Sequence, residues 1–586
     1  MLKKINFLIA FILFSQIISA QNEFITIWKP SIPHPHPYLP YAGVPINSTD
    51  TQIWVPAVGT NFTIYWEEVG YPSHHATMTD VNSIYQVFID FGAPSNPIPA
   101  NATYRVKISN GNGNFHRFRS SNWDLFINGD GIVGDVHKII DVEQWGSTKW
   151  SSMKQAFQAC RNMNISATDI PNLSNVTEMQ HIFTGCSSLV GNPSINNWNT
   201  SHVTDMRFAF AGCSVFNQPI GSWDTSNVTV MAGMFNSALK FNQPIGDWNT
   251  ANVIYMTAMF NSAREFNQPI GNWDLSSNLE CELMFSDAWK FNQPIGNWNT
   301  SNVLEMNGMF MGAKAFDQDI SNWNTGNVYI MHYMFSGAEK FNQDIGNWDV
   351  SNVESMYDMF NGAVLFNQDI SGWNVGKVML MQNMFKNAQS FNQNIGNWNV
   401  SMVKNMTSMF EGTPNFNQNL GHWNLASLQQ GLNMFFNSGL SCQNYDSTLF
   451  GWSSNPSTAS NIYFTSAAPL IYSHPAAVSA RNSLITNKNW TISGDSYNGE
   501  CQSFLGTSDV NIKKEISIYP NPAADFIYIK NIQGLNNYTI FDASGRTVLQ
   551  DSLHEDKINI SSLIKGSYLL KIVTKERSYN FKFIKK

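Results

Sequence analysis

Eight side chains recur at one slot of a 25-residue period, each directly after a tryptophan: Asp224, Asn249, Asp274, Asn299, Asn324, Asp349, Asn374 and Asn399. A file of carboxylates and amides has the chemistry to grip a ligand, since both accept hydrogen bonds and the amides also donate. The competing reading is a solvated face without a ligand. A second acidic file starts where Pro294 gives way to Asp319, Asp344 and Asp369; it would attract cations, but its spacing matches no metal-binding loop. Aromatic residues at variable positions, namely Tyr255, Trp289, Tyr329, Tyr333 and Tyr357, are candidates for an exposed adhesive patch.

Other chemistry-bearing residues lack a frame. The run Asn128-Gly129-Asp130-Gly131-Ile132-Val133 resembles the middle of an EF-hand-like calcium loop, but its first ligand position is Phe126 and its twelfth His137, so a glycine turn accounts for it better. His34, His36, His74 and His75 lie in Pro-rich or loop sequence without metal-ligand spacing. No G-x-S-x-G, H-E-x-x-H or phosphate loop occurs. No catalytic, cofactor-binding or metal-ligating residue is assigned, no cofactor is implied, and the chain is expected not to be an enzyme.

Whatever positions the eight side chains must itself repeat. Ten tryptophans, Trp198, Trp223, Trp248, Trp273, Trp298, Trp323, Trp348, Trp373, Trp398 and Trp423, hold a spacing of 25 without a slip, which predicts a stacked array of identical units. The consensus F-N-Q-[PD]-I-G-N-W-[ND]-[TV]-S-N-V-x-x-M-x-x-M-F-x-x-A-x-x fixes the apolar positions and lets the others drift. Two looser units precede it, and twelve are counted from about Trp150 to Leu440. Val253, Met256, Met259, Phe260 and Ala263 fall at steps of three and four, predicting a helix over about 252–264. Thr225-Ser226-Asn227 offers such a helix an N-cap. Ile245-x-x-Trp248-x-Thr250 resembles the strand of a leucine-rich repeat. The expected architecture is therefore an α/β, leucine-rich-repeat-like curved solenoid of about twelve strand-turn-helix coils. Its curvature would follow from strands stacking at about 4.8 Å beside helices at about 8–10 Å. Each Trp is assigned to the core, and the Asn and Gln of Phe-Asn-Gln to an amide ladder or, as the alternative, a sugar-binding row.

The flanks read differently. Lys3, Lys4, the apolar stretch from Phe7 to Phe14 and Ser19-Ala20 form an expected signal peptide over 1–20. Short alternating runs over 21–145 predict an all-β, sandwich-like capping domain ahead of the repeats at 146–440. A C-terminal cap at 441–501, a linker at 502–515 and a small β-sandwich at 516–586 follow. No transmembrane segment is expected in the mature chain. Six cysteines are present. Cys160, Cys186 and Cys213 share the slot later held by Ala, either as free buried thiols or as a bridge between neighbouring coils. Cys281 replaces a core Met, and Cys442 and Cys501 are the candidate disulfide of an exported chain. Only 13% of residues are charged, against about 25% in ordinary soluble proteins. A net charge of −8 carries no basic footprint and argues against nucleic acid.

Two family resemblances follow from these residues. Tyr519-Pro520-Asn521-Pro522, Tyr538-Thr539-Ile540-Phe541-Asp542 with Gly545-Arg546, Leu563-x-x-Gly566-Ser567-Tyr568 and the basic end resemble the C-terminal sorting domain of type IX secretion in Bacteroidetes. The likeness implies that residues 516–586 engage the type IX machinery and that the protein reaches the outer-membrane surface or the exterior. The repeats, from Trp145-Gly146-Ser147-Thr148-Lys149-Trp150 to Trp490-Thr491-Ile492-Ser493-Gly494-Asp495, resemble those of BspA-family surface proteins. In the N-terminal module Tyr65-Trp66-Glu67-Glu68 departs from the W-G-D-G turn usual there. Some BspA-type proteins adhere to matrix proteins or other cells, so the resemblance implies a surface binding protein for a glycan or protein ligand. No ligand-binding residues transfer with it. A structural spacer and a polysaccharide-acting enzyme are the alternatives.

Overall fold

The computed structural model of the protein describes residues 22–33, 48–121, 134–499, 517–530, 536–553, 556–573 and 578–586. The expected signal peptide, His34, His36, the Asn128 to Val133 run, the linker and Cys501 lie outside them. The chain divides into two compact units, residues 1–503 and 504–586.

The first unit begins with nine strands: β1 (Phe24–Trp28), β2 (Gln52–Val55), β3 (Ala57–Glu68), β4 (Tyr71–Ser83), β5 (Val87–Asp90), β6 (Tyr104–Ser109), β7 (Asn114–Phe118), β8 (Ile139–Gln144) and β9 (Asn164–Ile165). Seven form one sheet in the order β4-β3-β6-β1-β8-β9 with β7 also on β3, while β2 and β5 pair separately. Strand β6 shows why: Tyr104, Val106 and Ile108 are buried and Arg105, Lys107 and Ser109 are not, the period-2 pattern of a strand with one packed face. β1 is buried along its whole length. Its Phe24 meets Trp150 edge-on at 5.1 Å, joining the core of the sheet to that of the repeats. The parallel pairing of β8 with β9 carries the sheet into the first repeat.

The repeats hold neither the predicted helix nor the predicted strand-turn-helix coil. The expected α/β solenoid is overturned: the regular secondary structure of the described chain is mostly strands in several small sheets, and its α-helices are Cys442–Ser454 and Pro475–Lys488, both beyond the repeats. Residues 252–264 form a succession of tight turns. The amides of Val253, Met259 and Ala263 bond the carbonyls of Thr250, Met256 and Phe260, each three residues back, at 2.9, 3.1 and 3.0 Å. The alternate amides of Ala258, Phe260 and Ser262 leave the unit and reach Glu282, Met284 and Ser286 of the next at 2.7, 2.9 and 2.7 Å. Ala258 and Ser262 sit at φ 55° and 59°, the left-handed region that an L-residue does not occupy inside a right-handed helix. The apolar steps of three therefore mark turns of period three, not a helix of period 3.6. With no helix present, the mismatch that predicted curvature has no basis. One column of single parallel bridges, from Glu178 through Asp205, Val230, Tyr255, Glu280 and Glu305 to Gln430, links successive units.

Side chains complete the stack. Phe260 faces Phe266 at 3.9 Å and repeats onto Phe235 and Phe285 at 5.6 Å each, so two columns of phenyl rings run through the core. The ten tryptophans are at most 4% exposed. Each indole from Trp223 to Trp423 donates from Nε1 to the carbonyl of an Ile in the preceding unit, as in Trp298 to Ile270 at 3.1 Å. That bond explains the fixed Ile-x-x-Trp register and why a phenyl ring does not fill the slot. In Trp198, the first of the ten, Nε1 is buried without a partner.

The stack ends on the two helices and on β10 (Tyr463–Phe464), β11 (Ile471–Tyr472), β12 (Thr491–Ile492) and β13 (Ser496–Tyr497). Ser441 caps the first helix through Asn444 N. Trp452 Nε1 donates to Leu420 O at 2.9 Å, carrying the indole ladder into the cap. Arg481 grips Asp495 with two bonds of 2.7 Å, and the buried Tyr445 hydroxyl donates to the same carboxylate at 2.9 Å.

The second unit contains β14 (Ser517–Tyr519), β15 (Phe526–Lys530), β16 (Asn536–Phe541), β17 (Thr547–Leu553), β18 (Lys557–Asn559), β19 (Gly566–Val573) and β20 (Ser578–Lys585). They form two sheets, β14-β15-β18 and β17-β16-β19-β20, whose apolar residues share one cluster including Ile527, Ile529, Ile540, Leu570 and Phe583.

Candidate functional site

The eight predicted side chains stand in one exposed file along the stack. Each spends an oxygen on its own turn. Oδ1 of Asp224, Asn249, Asp274 and Asn299 accepts from the amide two residues on at 3.0, 3.1, 2.8 and 3.2 Å. Asn324, Asp349, Asn374 and Asn399 do the same at 3.1, 3.0, 3.2 and 3.2 Å. This Asx turn explains why only Asn or Asp fills the slot. In Asp224 and Asp349 the Ser hydroxyl two residues on also bonds the carboxylate and holds it below the usual carboxyl range. The acidic file is built alike: Asp319, Asp344 and Asp369 accept from Ser321, Gly346 and Ser371 N at 3.0, 2.9 and 3.0 Å.

The Phe-Asn-Gln amides form a second ladder. Asn267 Oδ1 accepts from Asn292 N at 2.9 Å and from Gln293 Nε2 at 3.0 Å, and the pattern repeats unit by unit. Asn444 of the capping helix closes it on Asn417. These rows hold the turns of one unit to those of the next.

The variable positions carry a different surface. Tyr255, Leu304 and Tyr329 are exposed on successive or neighbouring units. Glu280 and Glu305 are bridge partners in the same column, with Tyr255 bridged to Glu280 on one side. Glu280 accepts from Thr257 Oγ1 at 3.2 Å, Glu282 from Asn307 Nδ2 at 2.7 Å, and Glu305 from the Tyr329 hydroxyl. That last bond raises the Tyr329 phenol above its usual range. His332 stacks on Tyr357 at 4.5 Å, and Tyr333 meets the same ring edge-on at 4.9 Å. Burial lowers the His332 pKa, against the opposing pull of the Glu282 and Glu305 carboxylates. Asn307 Oδ1, His332 Nδ1, Ser355 Oγ and Gln382 Oε1 are buried without a hydrogen-bond partner on this same face.

The patch of aromatics expected from sequence is therefore only partly one surface. Trp289 is exposed but covered by cations, with Arg264 4.0 Å and Lys314 5.7 Å from its ring centre. Tyr333 and Tyr357 are half-buried in the His332 cluster. Glu280, Glu282 and Glu305 were not singled out by the sequence reading. The signal available was the absence of Lys and Arg at 254–258, 279–283, 304–308, 329–333 and 354–358 once the units are aligned on their period.

Other sites expected from sequence resolve as structure. His74 and His75 lie on β4, not in a loop. His74 Nδ1 pairs with the buried Glu68 carboxylate at 2.6 Å, and Ser95 N and Asn96 N donate to Glu68 at 2.7 and 2.8 Å. Desolvation is the largest single influence on Glu68 and pushes its pKa up, but these bonds together outweigh it and leave the carboxyl below its usual value. Arg105 bridges Glu67 at 3.1 Å and Glu143 at 2.6 Å across the sheet. Cys160, Cys186, Cys213 and Cys281 are free and buried; burial pushes all four thiols up, Cys281 to about 12. Cys442 is disulfide-bonded, and the partner expected for it, Cys501, lies outside the described residues. Among the described residues no three His, Cys, Asp or Glu are placed to hold a metal ion, and no helix is long and apolar enough to cross a membrane.

In the second unit, Tyr519-Pro520-Asn521-Pro522 lies against the basic end. Asn521 Oδ1 accepts from Ile584 N at 2.9 Å, and Lys586 N donates to Ala523 O at 2.9 Å. Two of the stretches that carry the sorting-domain resemblance are thus one structural feature. Residues 517–586 match the secretion system C-terminal sorting domain. Residues 139–195, 151–273, 189–295, 279–389 and 366–471 match in overlapping segments the family described as "Mycoplasma protein of unknown function, DUF285". No curated protein matches the chain.

Proposed function

Since the chain belongs to the repeat family described as "Mycoplasma protein of unknown function, DUF285" and ends in a secretion sorting domain, we propose that it is an exported, non-catalytic binding protein that presents its repeat stack to partners outside the cell. Export by the type IX route to the outer-membrane surface or the exterior fits the sorting domain. The observation that supports binding is the division of labour within each unit. Ladders of side-chain amides and indoles, with Asp317 in one amide slot, hold the stack, while the variable face displays Tyr255, Leu304 and Tyr329 among carboxylates. An exposed apolar and aromatic patch on a soluble surface is a recognition feature more often than a packing one. The likeness of the repeats to those of BspA-type surface proteins supports the same reading.

The Asx turns favour a second reading for their own file. There the Asn and Asp serve the scaffold, as they would in a pure spacer protein. The test is an array of glycans and matrix proteins probed with the full chain, with and without calcium. Saturable binding lost in Tyr255→Ala/Tyr329→Ala supports a binding protein. No saturable binding to any member leaves the spacer.

A further inference from the structure

Three carboxylates of the variable face gather without a cationic partner. Glu280 and Glu305 sit opposite each other as bridge partners, and Glu282 lies two residues along. Like charges facing each other across paired backbone destabilise a fold. Yet each of the three takes only a neutral donor, Glu280 from Thr257, Glu282 from Asn307 and Glu305 from Tyr329. Among the described residues none of them is in an ion pair, whereas Glu265, Glu339 and Glu411 on other columns pair with Lys290, Lys314 and Lys386 at 2.5, 2.9 and 3.1 Å. The five aligned stretches from 254–258 to 354–358 contain Glu280, Glu282, Glu305, Glu354 and Asp358 and neither Lys nor Arg.

A second observation concerns donors. Asn307 is 9% exposed and is aimed into the cluster by the bond from its Nδ2 to Glu282; its Oδ1 is buried with no partner. A buried acceptor left unpaired costs free energy that a ligand donor recovers. The face is therefore short of donors and of positive charge at once, with the exposed rings of Tyr255 and Tyr329 beside it. A neutral sugar brings as many acceptors as donors and leaves the charge uncompensated. A metal ion needs converging ligands, and the described residues offer no such group. A guanidinium or ammonium on a flexible stem supplies donors, cancels the repulsion and stacks on aromatic faces.

We propose that the face formed by Glu280, Glu282, Glu305 and Asn307, rimmed by Tyr255 and Tyr329, docks a Lys- or Arg-bearing segment of a partner protein. This rests on the reading of the chain as a binding protein and names the partner's chemistry. Association would be salt-sensitive, because its attraction is between charges at a solvent-accessible surface.

The test titrates a labelled nona-arginine and a labelled nona-lysine peptide into the full chain at low and at physiological ionic strength. The parent is expected to bind at least one saturably and more weakly as salt rises. Glu282→Gln/Glu305→Gln should weaken binding about tenfold or more, while Glu339→Gln/Glu411→Gln, which removes as much charge from paired sites, should leave it unchanged. Near-ultraviolet circular dichroism checks that each variant is folded, and Glu280→Gln alone serves if the double variant is not. Equal loss in both double variants, or none in either, overturns the proposal, as does absence of peptide binding by the parent. If the parent then still captures a glycan or matrix protein on the array, the binding reading stands and only the cationic partner is lost. If it captures nothing, both fall.

Discussion

The N-terminal sheet and one face of the repeat stack treat their carboxylates in opposite ways. In the sheet, Glu67 and Glu143 share Arg105, and Glu68 holds His74 with two backbone amides. In the stack, Glu280, Glu282 and Glu305 hold only neutral donors. The sheet needs its charges because its strands come from distant parts of the chain and must be clamped in register. That face of the stack does not, since each unit is bonded to like neighbours by main-chain and amide ladders. Side chains released from that duty can be placed for a partner, and the difference separates carboxylates that stabilise from carboxylates that wait.

The largest effect should come from the scaffold itself. Trp298→Ala removes a buried ring from a column and should cost about 3–5 kcal/mol in chemical denaturation. Trp298→Phe keeps most of the ring but strips the donor from Ile270 O and should cost about 1–2 kcal/mol. Equal stability of the alanine variant and the parent would break the assignment of the Trp file to the core.

Next comes the sheet. Glu68→Gln leaves His74 and two amides facing a neutral group in a buried site, with an expected cost of about 2–4 kcal/mol. The acid limb should change with it. The Glu68 carboxyl lies below its ordinary 4.5 in the fold, so its contribution is present above that value and is lost as pH falls through the lowered one. Melting curves of the variant should therefore fall less steeply below about pH 4.5 than those of the parent. A parallel fall would mean that Glu68 does not carry the acid response.

Smaller again is the amide ladder. Asn267→Ala leaves Asn292 N and Gln293 Nε2 without their shared acceptor and should cost about 1–2 kcal/mol. A loss confined to the units on either side, seen as faster amide exchange near 267 and 292, would mark it as a local tie.

Much of this was legible from residue types at a fixed period. The burial of each Trp and the stacking of Asn upon Asn follow from identical residues meeting their copies. The helix did not, because Val253, Met256, Met259, Phe260 and Ala263 satisfy a 3.6-residue helix and a run of three-residue turns equally well. The two differ only in where the intervening amides go. Ala258 and Ser262 send theirs to the next unit from a left-handed backbone, and later copies of those slots hold Gly308, Gly312, Gly337, Asn383 and Asn387. That preference for Gly and Asn was the one sign of positive φ. The Asx role of Asp224 and its copies was hidden for the same reason, since a turn-forming side chain and a ligand-gripping one are the same residue.

The smallest expected effect is the sharpest test of the contrast. Glu282→Gln keeps the shape that accepts from Asn307 Nδ2 and removes one of three facing charges. Stability at pH 8 should therefore stay within about 0.5 kcal/mol of the parent and rise rather than fall. Acid should reverse the sign. His332 is held below its ordinary 6.5 by burial, with Glu282 and Glu305 opposing that shift. Above 6.5 the ring is neutral in both states and contributes nothing. As pH drops through 6.5 the unfolded chain takes up a proton that the fold resists, and stability is lost. Without the Glu282 carboxylate the fold resists that proton more strongly, so the variant should lose more than the parent between pH 6.5 and 5. A variant that tracked the parent across that range would mean that His332 does not sense the cluster. A variant destabilised at pH 8, as Glu68→Gln is expected to be, would mean that the carboxylates of the stack stabilise it after all.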